Sequence, residues 1–323
     1  MLDDLRYAAL RDLLGPTIEE AGTAEALSTL DVLAEAKFDS YERYPSLTGF
    51  WEELTGWLRQ AAPGDRSGML RWLAENLLFV SRDQVHSLLR VFAGEWLVTR
   101  SMELAVRHSC DLETELSGTA VCALSDGVPL GTTRRLIPNL THRQFFSDPA
   151  LLDGFESTLR HLVLIDDFSG TGKSLAHAPT DTEADEAPFG RVPDACRALR
   201  GLADPASRGA VVSVVLLMAS AAAVRHLSAI LPALGCSLHV TQVLNPCPQT
   251  AMQSWSRRYL GISPNPAVKT HVNADYRMGD LPVVLSHNTP NDTFALLWEA
   301  RNSGDRTWRP LFPRFDRVRE GGT

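Results

Sequence analysis

The segment that decides the fold of this chain is Leu162-Val-Leu-Ile-Asp-Asp-Phe-Ser-Gly-Thr-Gly-Lys-Ser174. It opens with four consecutive aliphatic residues, and such a run is typical of an interior strand of a parallel β-sheet. Two carboxylates, Asp166 and Asp167, stand where this strand is expected to end. Because ligands bind at the carboxyl ends of the strands in such sheets, the sequence predicts an α/β fold with a ligand site at these two residues.

The loop after the two carboxylates has the composition of a phosphate-binding loop. It is rich in hydroxyl groups and glycine, and its backbone N–H groups would suit a phosphate at the start of a helix. Two acids beside a phosphate are explained if they hold ribose hydroxyls, either directly or through Mg²⁺, which prefers oxygen ligands. The residues predicted to bind the phosphate are Ser169, Gly170, Thr171, Gly172, Lys173 and Ser174. A simpler interpretation, in which two Asp residues end a strand and cap a helix, explains the acids but not the loop.

A Walker A loop is an alternative, because the stretch from Gly170 to Ser174 resembles the end of that nucleotide-binding motif. The motif requires a glycine five residues before Gly172, and Asp167 stands there in this chain. A carboxylate at that point would face the phosphates that the loop should enclose. A degenerate P-loop therefore stays open as the weaker alternative.

The quoted segment resembles the phosphoribosyl-pyrophosphate (PRPP) motif of type I phosphoribosyltransferases, in which four apolar residues and two acids precede a short loop containing Thr-Gly. Lys173 and Ser174 stand where Gly and Thr are commoner. The resemblance implies that the two acids are catalytic, that they hold the ribose 2- and 3-hydroxyls and Mg²⁺, and that the loop holds the 5-phosphate. The residues that it implies for the pyrophosphate loop, after the first core strand, are Ser125, Asp126 and Gly127.

A second polar loop follows the apolar stretch from Leu281 to Leu285. Its sequence, Ser286-His-Asn-Thr-Pro-Asn-Asp-Thr293, is dense in hydrogen-bonding side chains, and loops of this kind after a buried strand often carry sites. His287 is a candidate general base, and His287 or Asn288 is a candidate for contacting the base or acceptor of the ligand. The alternative is a turn network in which Asn and Thr side chains satisfy their own backbone.

Three segments together are similar to a bacterial phosphoribosyltransferase-like family with an N-terminal helical extension. They are residues 166–172, 286–291 and 308–313. Members of that family occur in conflict or antiphage gene clusters. The resemblance implies a protein that binds PRPP or a nucleotide with Mg²⁺ and transfers or cleaves at the ribose anomeric carbon. It also implies a role in bacterial defence and a partner protein from the same gene cluster. The alternative is a non-catalytic PRPP or nucleotide sensor.

The pattern of apolar residues changes near residue 112 and predicts two regions. Before it, apolar residues recur at helical spacing, as in Tyr7, Leu10 and Leu14. After it, short apolar runs alternate with helical patterns, which indicates a parallel sheet. We therefore expect an α-helical extension over residues 1–112 and the phosphoribosyltransferase-like core over residues 113–323. Strands are expected at 120–124, 162–165, 210–218 and 237–244, and a flexible, acidic insertion is expected at about 178–190.

Composition limits the classes of protein to which the chain can belong. Its 323 residues are 44% hydrophobic and 22% charged, which is ordinary for a globular protein. The net charge of −8 gives no basis for general nucleic-acid binding. No apolar run approaches the length of about 20 residues that a membrane span needs. Five scattered cysteines are typical of reduced thiols, so we expect a cytoplasmic protein.

Overall fold

The computed structural model of the chain describes residues 4–42, 49–125, 127–177, 188–245, 250–261, 281–290, 293–303 and 306–313. The chain forms two compact units. Met1–Arg82 and Pro246–Thr323 together are referred to as the two-segment unit, and Asp83–Asn245 as the sheet unit.

Helices dominate the first part of the described chain, and the longer strands lie between residues 119 and 244. The α-helices are α1 (Asp4–Leu14), α2 (Ala21–Ala36), α3 (Phe50–Arg59), α4 (Pro63–Asn76), α5 (Arg82–Val91), α6 (Leu97–His108), α7 (Leu112–Ser117), α8 (Leu130–Leu136), α9 (Arg191–Gly201), α10 (Ala221–Ile230), α11 (Thr250–Leu260) and α12 (Ala295–Trp298). The strands are β1 (Leu78–Val80), β2 (Thr119–Ala123), β3 (Phe145–Phe146), β4 (His161–Ser169), β5 (Val211–Ser220), β6 (Cys236–Leu244), β7 (Val283–Leu285), β8 (Arg301–Ser303) and β9 (Arg306–Trp308). A π-helical turn, Phe92–Trp96, joins α5 to α6.

Among the described residues, five parallel strands form the sheet of the sheet unit, in the order β3-β2-β4-β5-β6. The central strand is β4, and Leu162 and Ile165 within it have no exposed surface. The register places Ile165 beside Ala123 of β2 and Val215 of β5. Continuous apolar runs are expected of strands covered on both faces. The predicted α/β fold with a parallel sheet is confirmed.

Helices α9 and α10 share a hydrophobic core with alternate residues of β4 and β5. The larger side chains that β4, β5, α9 and α10 contribute to this core are Leu162, Leu164, Val192, Leu199, Val212, Val214, Leu216 and Leu227. Each fully buried aliphatic side chain of this size contributes about 1.5–3 kcal/mol to the free energy of unfolding. This core fixes the carboxyl ends of β4 and β5 relative to the two helices.

The core of the two-segment unit is rich in aromatic residues, and residues from both segments form it. The rings of Phe50 and Phe312 stack with their centroids 6.3 Å apart, and the ring of Trp57 lies 6.1 Å from that of Trp308. In addition, β1 pairs in parallel with β7. Aromatic pairs of this kind stabilise a core beyond the area that they bury. The C-terminal segment is therefore part of the core that α1 to α4 enclose.

The boundaries of the two units differ from the boundary near residue 112 between the two predicted regions. The first division falls after Arg82, so α6 and α7 belong with the sheet and not with the helices before them. The second falls before Pro246, so the C-terminal residues belong with the N-terminal helices. The physical reason is that β7 pairs with β1 and that C-terminal aromatic residues are buried among the helices. Helical periodicity along a sequence does not specify which helices pack together.

The predicted insertion at residues 178–190 lies mostly outside the described residues, because the description stops at residue 177 and resumes at residue 188. At its ends, His177 and Phe189 form an antiparallel bridge. The backbone N–H of each donates to the carbonyl oxygen of the other, at 2.8 and 3.1 Å. The two ends of the insertion therefore meet.

No helix in the described ranges combines the length and the apolarity that crossing a bilayer requires. The free thiols in those ranges are Cys110, Cys122, Cys196 and Cys236. Cys247 lies outside the described residues.

Candidate functional site

Asp166 and Asp167 lie near the carboxyl end of the central strand. The expectation that the strand ends before them is wrong, because β4 continues to Ser169 alongside β5. On the other side, pairing with β2 stops at Ile165. The acids therefore lie beyond the end of β2, next to the loop that follows it. They are only 4% and 5% exposed, so both carboxylates are buried.

Ser125 connects the two carboxylates. Its Oγ donates a hydrogen bond to Asp166 Oδ1 and lies 3.3 Å from Asp167 Oδ1. The backbone N–H of Asp167 donates to the same Asp166 oxygen at 3.1 Å. A residue predicted for the pyrophosphate loop thus contacts both acids predicted to hold the ribose.

Gly127 allows the loop after β2 to pass directly over the acid pair. Its backbone N–H donates to Ser125 Oγ at 3.3 Å. A Cβ atom at this position would overlap with the carboxylate of Asp167, so any other residue would displace either this carboxylate or the loop. Asp126, the remaining residue predicted for this loop, lies outside the described residues. Ser125 and Gly127 together form a cover over the acids.

The two acids are unfavourable as a pair of charges. Burial raises the pKa of Asp166 strongly above its ordinary value of 3.8, and the charge of Asp167 raises it further. A hydrogen bond from Ser125 and the positive charge of Arg191 act in the opposite direction on this pKa and offset only part of the increase. Neighbouring buried carboxylates are stabilised by sharing a proton or by binding a cation. The pair is therefore suited to a divalent cation or to a sugar that develops positive charge.

The set of oxygen donors fits Mg²⁺ that is held together with a phosphorylated ligand. Mg²⁺ is usually bound through one or two carboxylates, with further oxygens from phosphates and water. Among the described residues, no group of three or more His, Cys, Asp and Glu side chains is arranged to hold a metal ion. Asp166 and Asp167 would be the contribution of the protein, and the bound molecule and water would supply the rest.

The loop predicted to bind the phosphate is held in place by β5 and α10. Ser220, at the end of β5, donates a hydrogen bond to the carbonyl oxygen of Gly170. Gly172 has a φ of 76°, and a Cβ there would lie 2.9 Å from Leu227 Cγ and 3.1 Å from His226 Cδ2. Glycine is therefore needed at 172 for its left-handed backbone and for close packing on α10.

The exposed side chains of this loop are at its far end. Lys173 and Ser174 are exposed, and Thr171 is half-buried. Thr171 Oγ1 accepts a hydrogen bond from the backbone N–H of Lys173 at 3.4 Å. Ser169 is buried at the end of β4. Of the residues predicted to bind the phosphate, Ser169 is therefore buried, whereas Lys173 and Ser174 are accessible to a ligand.

The helix that follows the loop begins later than predicted. The chain turns after Gly172, whose carbonyl oxygen accepts a hydrogen bond from the N–H of Ala176 at 3.1 Å, and the described residues up to His177 form no helix. After the insertion, α9 begins beside the loop, and the N–H of Arg191 donates to the carbonyl oxygen of Ser174 at 3.3 Å. The prediction of a helix opening directly at the loop is wrong, because the described residues 170–177 form turns and a bridge and not a helix.

Arg191 and Ser220 are parts of this site that the sequence analysis did not identify. Arg191 Nη1 donates to the carbonyl oxygen of Leu124 at 2.6 Å, which ties α9 to the loop after β2. Ser220 Oγ also accepts a hydrogen bond from the N–H of Ala223 at 3.0 Å and so caps α10. A serine between an apolar run and an alanine-rich helix is a recognisable capping signal. Arg191 carries no comparable local signal.

A comparison with protein families covers most of the chain. The model of the PRTase-CE family matches residues 54–314. The chain belongs to the PRTase-CE family. This membership makes it phosphoribosyltransferase-like, and the parallel sheet of the structure agrees with the fold of type I phosphoribosyltransferases. The match favours the phosphoribosyltransferase interpretation over a degenerate P-loop. No curated protein and no solved structure matches the chain.

The second polar loop of this PRTase-CE protein follows β7 and lies in the two-segment unit, whereas the acid pair lies in the sheet unit. Thr289 is 1% exposed, and its Oγ1 donates to the carbonyl oxygen of Phe312 at 3.2 Å. The same Oγ1 lies 2.9 Å from the hydroxyl of Tyr41. Thr289 therefore has a structural role in this unit.

His287 and Asn288 lie in the same turn of the PRTase-CE chain, and both are half-buried. The backbone groups of Asn288 and Leu285 exchange hydrogen bonds, both at 3.1 Å. Asn288 Oδ1 accepts a hydrogen bond from the N–H of Thr289 at 3.0 Å. The alternative of a turn network is therefore present in the structure. The contacts predicted for His287 and Asn288 with a base or acceptor stay predictions.

Proposed function

We propose that this PRTase-CE protein binds PRPP or a nucleotide, together with Mg²⁺, at the carboxyl end of β4. One observation supports the proposal most. Two adjacent buried carboxylates and a Gly-, Ser- and Thr-rich loop stand side by side at the end of the central strand of a parallel sheet. Ligands of parallel α/β folds bind at that edge. The pKa of Asp166 is raised, which indicates that a bound cation would stabilise the pair of carboxylates.

In the proposed complex, the acid pair holds the ribose and the loop holds its 5-phosphate. Asp166 and Asp167 would accept hydrogen bonds from the 2- and 3-hydroxyls and complete the shell of the metal ion. The backbone N–H groups and hydroxyls of residues 169–174 would donate to the phosphate. Ser125 and Gly127 would lie beside the pyrophosphate. Each polar segment around the acids would then bind a different part of the ligand.

The same arrangement suits transfer or cleavage at the anomeric carbon of the ribose. Such reactions develop positive charge on the sugar, and the two carboxylates would stabilise that charge while they orient the ring. Bound Mg²⁺ would supply charge stabilisation for the departing pyrophosphate. Alignment of the reacting groups is worth about 7–11 kcal/mol when it is good. We propose His287 as the general base for the incoming group.

A PRPP or nucleotide sensor without turnover is the second candidate. The cover that Ser125 and Gly127 form over the acids favours it, because a ligand that reaches the acids must displace this loop. Binding would then be coupled to a local conformational change, which is what a sensor requires. A role in bacterial defence, with a partner protein from the same gene cluster, extends either candidate and is supported by the resemblance of residues 286–291 and 308–313.

Calorimetric titration of the full chain tests the proposal. PRPP and nucleoside 5′-monophosphates are titrated with and without Mg²⁺, and pyrophosphate and free base are then measured. Mg²⁺-dependent binding with release of either product supports an enzyme, and binding without release supports a sensor. The proposal is overturned if none of these ligands binds, or if Asp167→Asn binds them as tightly as the parent.

A further inference from the structure

Arg191 connects three parts of the candidate site. Its guanidinium donates through Nη1 to the carbonyl oxygen of Leu124, directly after β2, at 2.6 Å. Its backbone N–H donates to the carbonyl oxygen of Ser174, in the phosphate loop, at 3.3 Å. Its positive charge acts on the carboxylate of Asp166. A single residue at the start of α9 thus contacts both loops around the acid pair and acts on one of the acids.

The backbone contacts of the residues on either side of Arg191 fix the position from which its side chain extends. Gly190 has a φ of 122°, which favours glycine, and a Cβ there would lie 2.8 Å from the carbonyl oxygen of Leu175. The next residue, Val192, has no exposed surface, and its N–H donates to the same oxygen at 2.8 Å. The start of α9 is therefore packed directly on the turn that follows the phosphate loop.

We infer that the guanidinium of Arg191 binds the diphosphate group that PRPP carries on its anomeric carbon. The inference rests on the proposed function. In the sheet, β2 and β5 flank β4 on opposite sides. The phosphate loop is anchored on the β5 side by Ser220, whereas the side chain of Arg191 reaches the end of β2 at Leu124. The guanidinium therefore lies on the side of the acid pair where the predicted pyrophosphate loop stands.

The chemistry of arginine suits this position. A guanidinium presents a planar fork of N–H donors that matches two phosphate oxygens, which the ammonium of lysine does not. Within the described residues, the guanidinium makes one hydrogen bond, to Leu124, so further N–H groups point away from that contact. A diphosphate brings negative charge close to two carboxylates, and a fixed cation on that side lowers the repulsion.

Replacement of Arg191 tests the inference through the pattern of ligands that it affects. Arg191→Gln and Arg191→Lys are compared with the parent by calorimetry, with PRPP, inorganic pyrophosphate and a nucleoside 5′-monophosphate, each with Mg²⁺. Arg191→Gln should lower the affinity for PRPP and for pyrophosphate by about tenfold to about 100-fold. The affinity for the monophosphate, which has no diphosphate, should change by less than about threefold. Arg191→Lys should retain part of the affinity. The control is Arg197→Gln, an exposed arginine of α9 that pairs with Asp194 and should leave all three affinities unchanged.

Each alternative outcome overturns the inference and identifies where it fails. Parent-like affinity of Arg191→Gln for PRPP and pyrophosphate removes Arg191 from the diphosphate but leaves the proposed function standing. An equal loss for all three ligands means that Arg191 positions the loops and does not bind the diphosphate. If the parent binds none of them, the proposed function fails and the inference fails with it. Should Arg191→Gln not fold in a thermal melt, Arg191→Lys decides, because it must show the same selective loss to a smaller extent.

Discussion

Two polar loops follow buried strands in this protein, and they use their polar groups in opposite ways. After β7, the hydroxyl of Thr289 is hydrogen-bonded within its own unit, to Phe312, and Asn288 bonds the neighbouring backbone. After the aliphatic part of β4, two carboxylates lie side by side under a glycine, and burial raises the pKa of Asp166.

The difference shows which kind of polarity indicates a binding site. A buried polar group with a partner in the fold stabilises the folded chain, whereas two neighbouring buried carboxylates destabilise it. A fold retains such a pair when it serves another purpose, and groups with perturbed pKa values cluster at functional sites for that reason. Dense polarity after a strand is therefore weaker evidence for a site than unfavourable electrostatics. Substitutions in the two loops should separate these two cases.

Asp167→Asn has the largest expected effect, and it should act on binding and not on folding. Loss of one charged ligand for the ribose and Mg²⁺ should lower the affinity for PRPP by about 100-fold, which is about 3 kcal/mol. The free energy of unfolding at neutral pH should not decrease, because the substitution removes a buried charge next to Asp166. Calorimetry and urea denaturation measure the two quantities, with the exposed Asp153→Asn as the control. A variant that binds normally but unfolds more easily would make Asp167 a structural residue, like Thr289.

The second effect is a decrease in stability as the pH rises. Because burial and the charge of Asp167 raise the pKa of Asp166 above 3.8, the folded chain keeps a proton that the unfolded chain has already lost. The free energy of unfolding therefore decreases with rising pH between the two pKa values, by up to about 1.4 kcal/mol per pH unit. Asp166→Asn should remove this contribution. Denaturation curves from about pH 5 to about pH 8 compare parent and variant, and parallel pH profiles would contradict the prediction.

Thr289→Val should have the reverse signature, a loss of stability with unchanged binding. The substitution keeps the shape of the side chain but removes the hydroxyl that contacts Tyr41 and Phe312 in a buried environment. The expected loss in the free energy of unfolding is about 1–2 kcal/mol. Urea denaturation measures it, and the exposed Thr29→Val in α2 should change stability by less than about 0.5 kcal/mol. Weakened ligand binding by Thr289→Val at full stability would bring this loop into the binding site.

Four of the five strands of the sheet were predictable because their apolar runs are continuous and local, whereas β3 (Phe145–Phe146) has only two residues and was not predicted. The run at 210–218 became β5 (Val211–Ser220), and the run at 237–244 became β6 (Cys236–Leu244). In contrast, β1 (Leu78–Val80) stands in an apolar stripe of helical spacing, and its strand partner is β7, far away in the sequence. Pairing with a distant segment is a tertiary effect that a local pattern does not contain.

The residues of the candidate site also fall into two groups, those that lie in one local motif and those that come together only through tertiary contacts. The acids and the loop after them form one local motif, so the sequence was sufficient to find them. Arg191 contributes only because the bridge between His177 and Phe189 brings the two ends of the insertion together, which allows α9 to start beside the loop. The burial of Asp167 also depends on tertiary structure, since Gly127 of the loop after β2 lies directly against its carboxylate.

The smallest expected effect concerns His287 and Asn288, and it tests whether the loop after β7 has a binding role in addition to its structural one. If either side chain contacts the base of a nucleotide, His287→Ala or Asn288→Ala should lower the affinity for nucleoside 5′-monophosphates by about fivefold to about tenfold. This is the loss expected when one neutral hydrogen bond is removed. Neither substitution should change the affinity for PRPP, because PRPP carries no base. This selectivity separates base contact from general destabilisation, which would weaken both ligands, and Asn288→Ala is expected to lose some stability because Asn288 bonds the N–H of Thr289. The exposed His142→Ala is the control for loss of a histidine elsewhere in the chain. If both variants bind both ligands as the parent does, the loop after β7 is a structural turn, and another part of the chain must recognise the base.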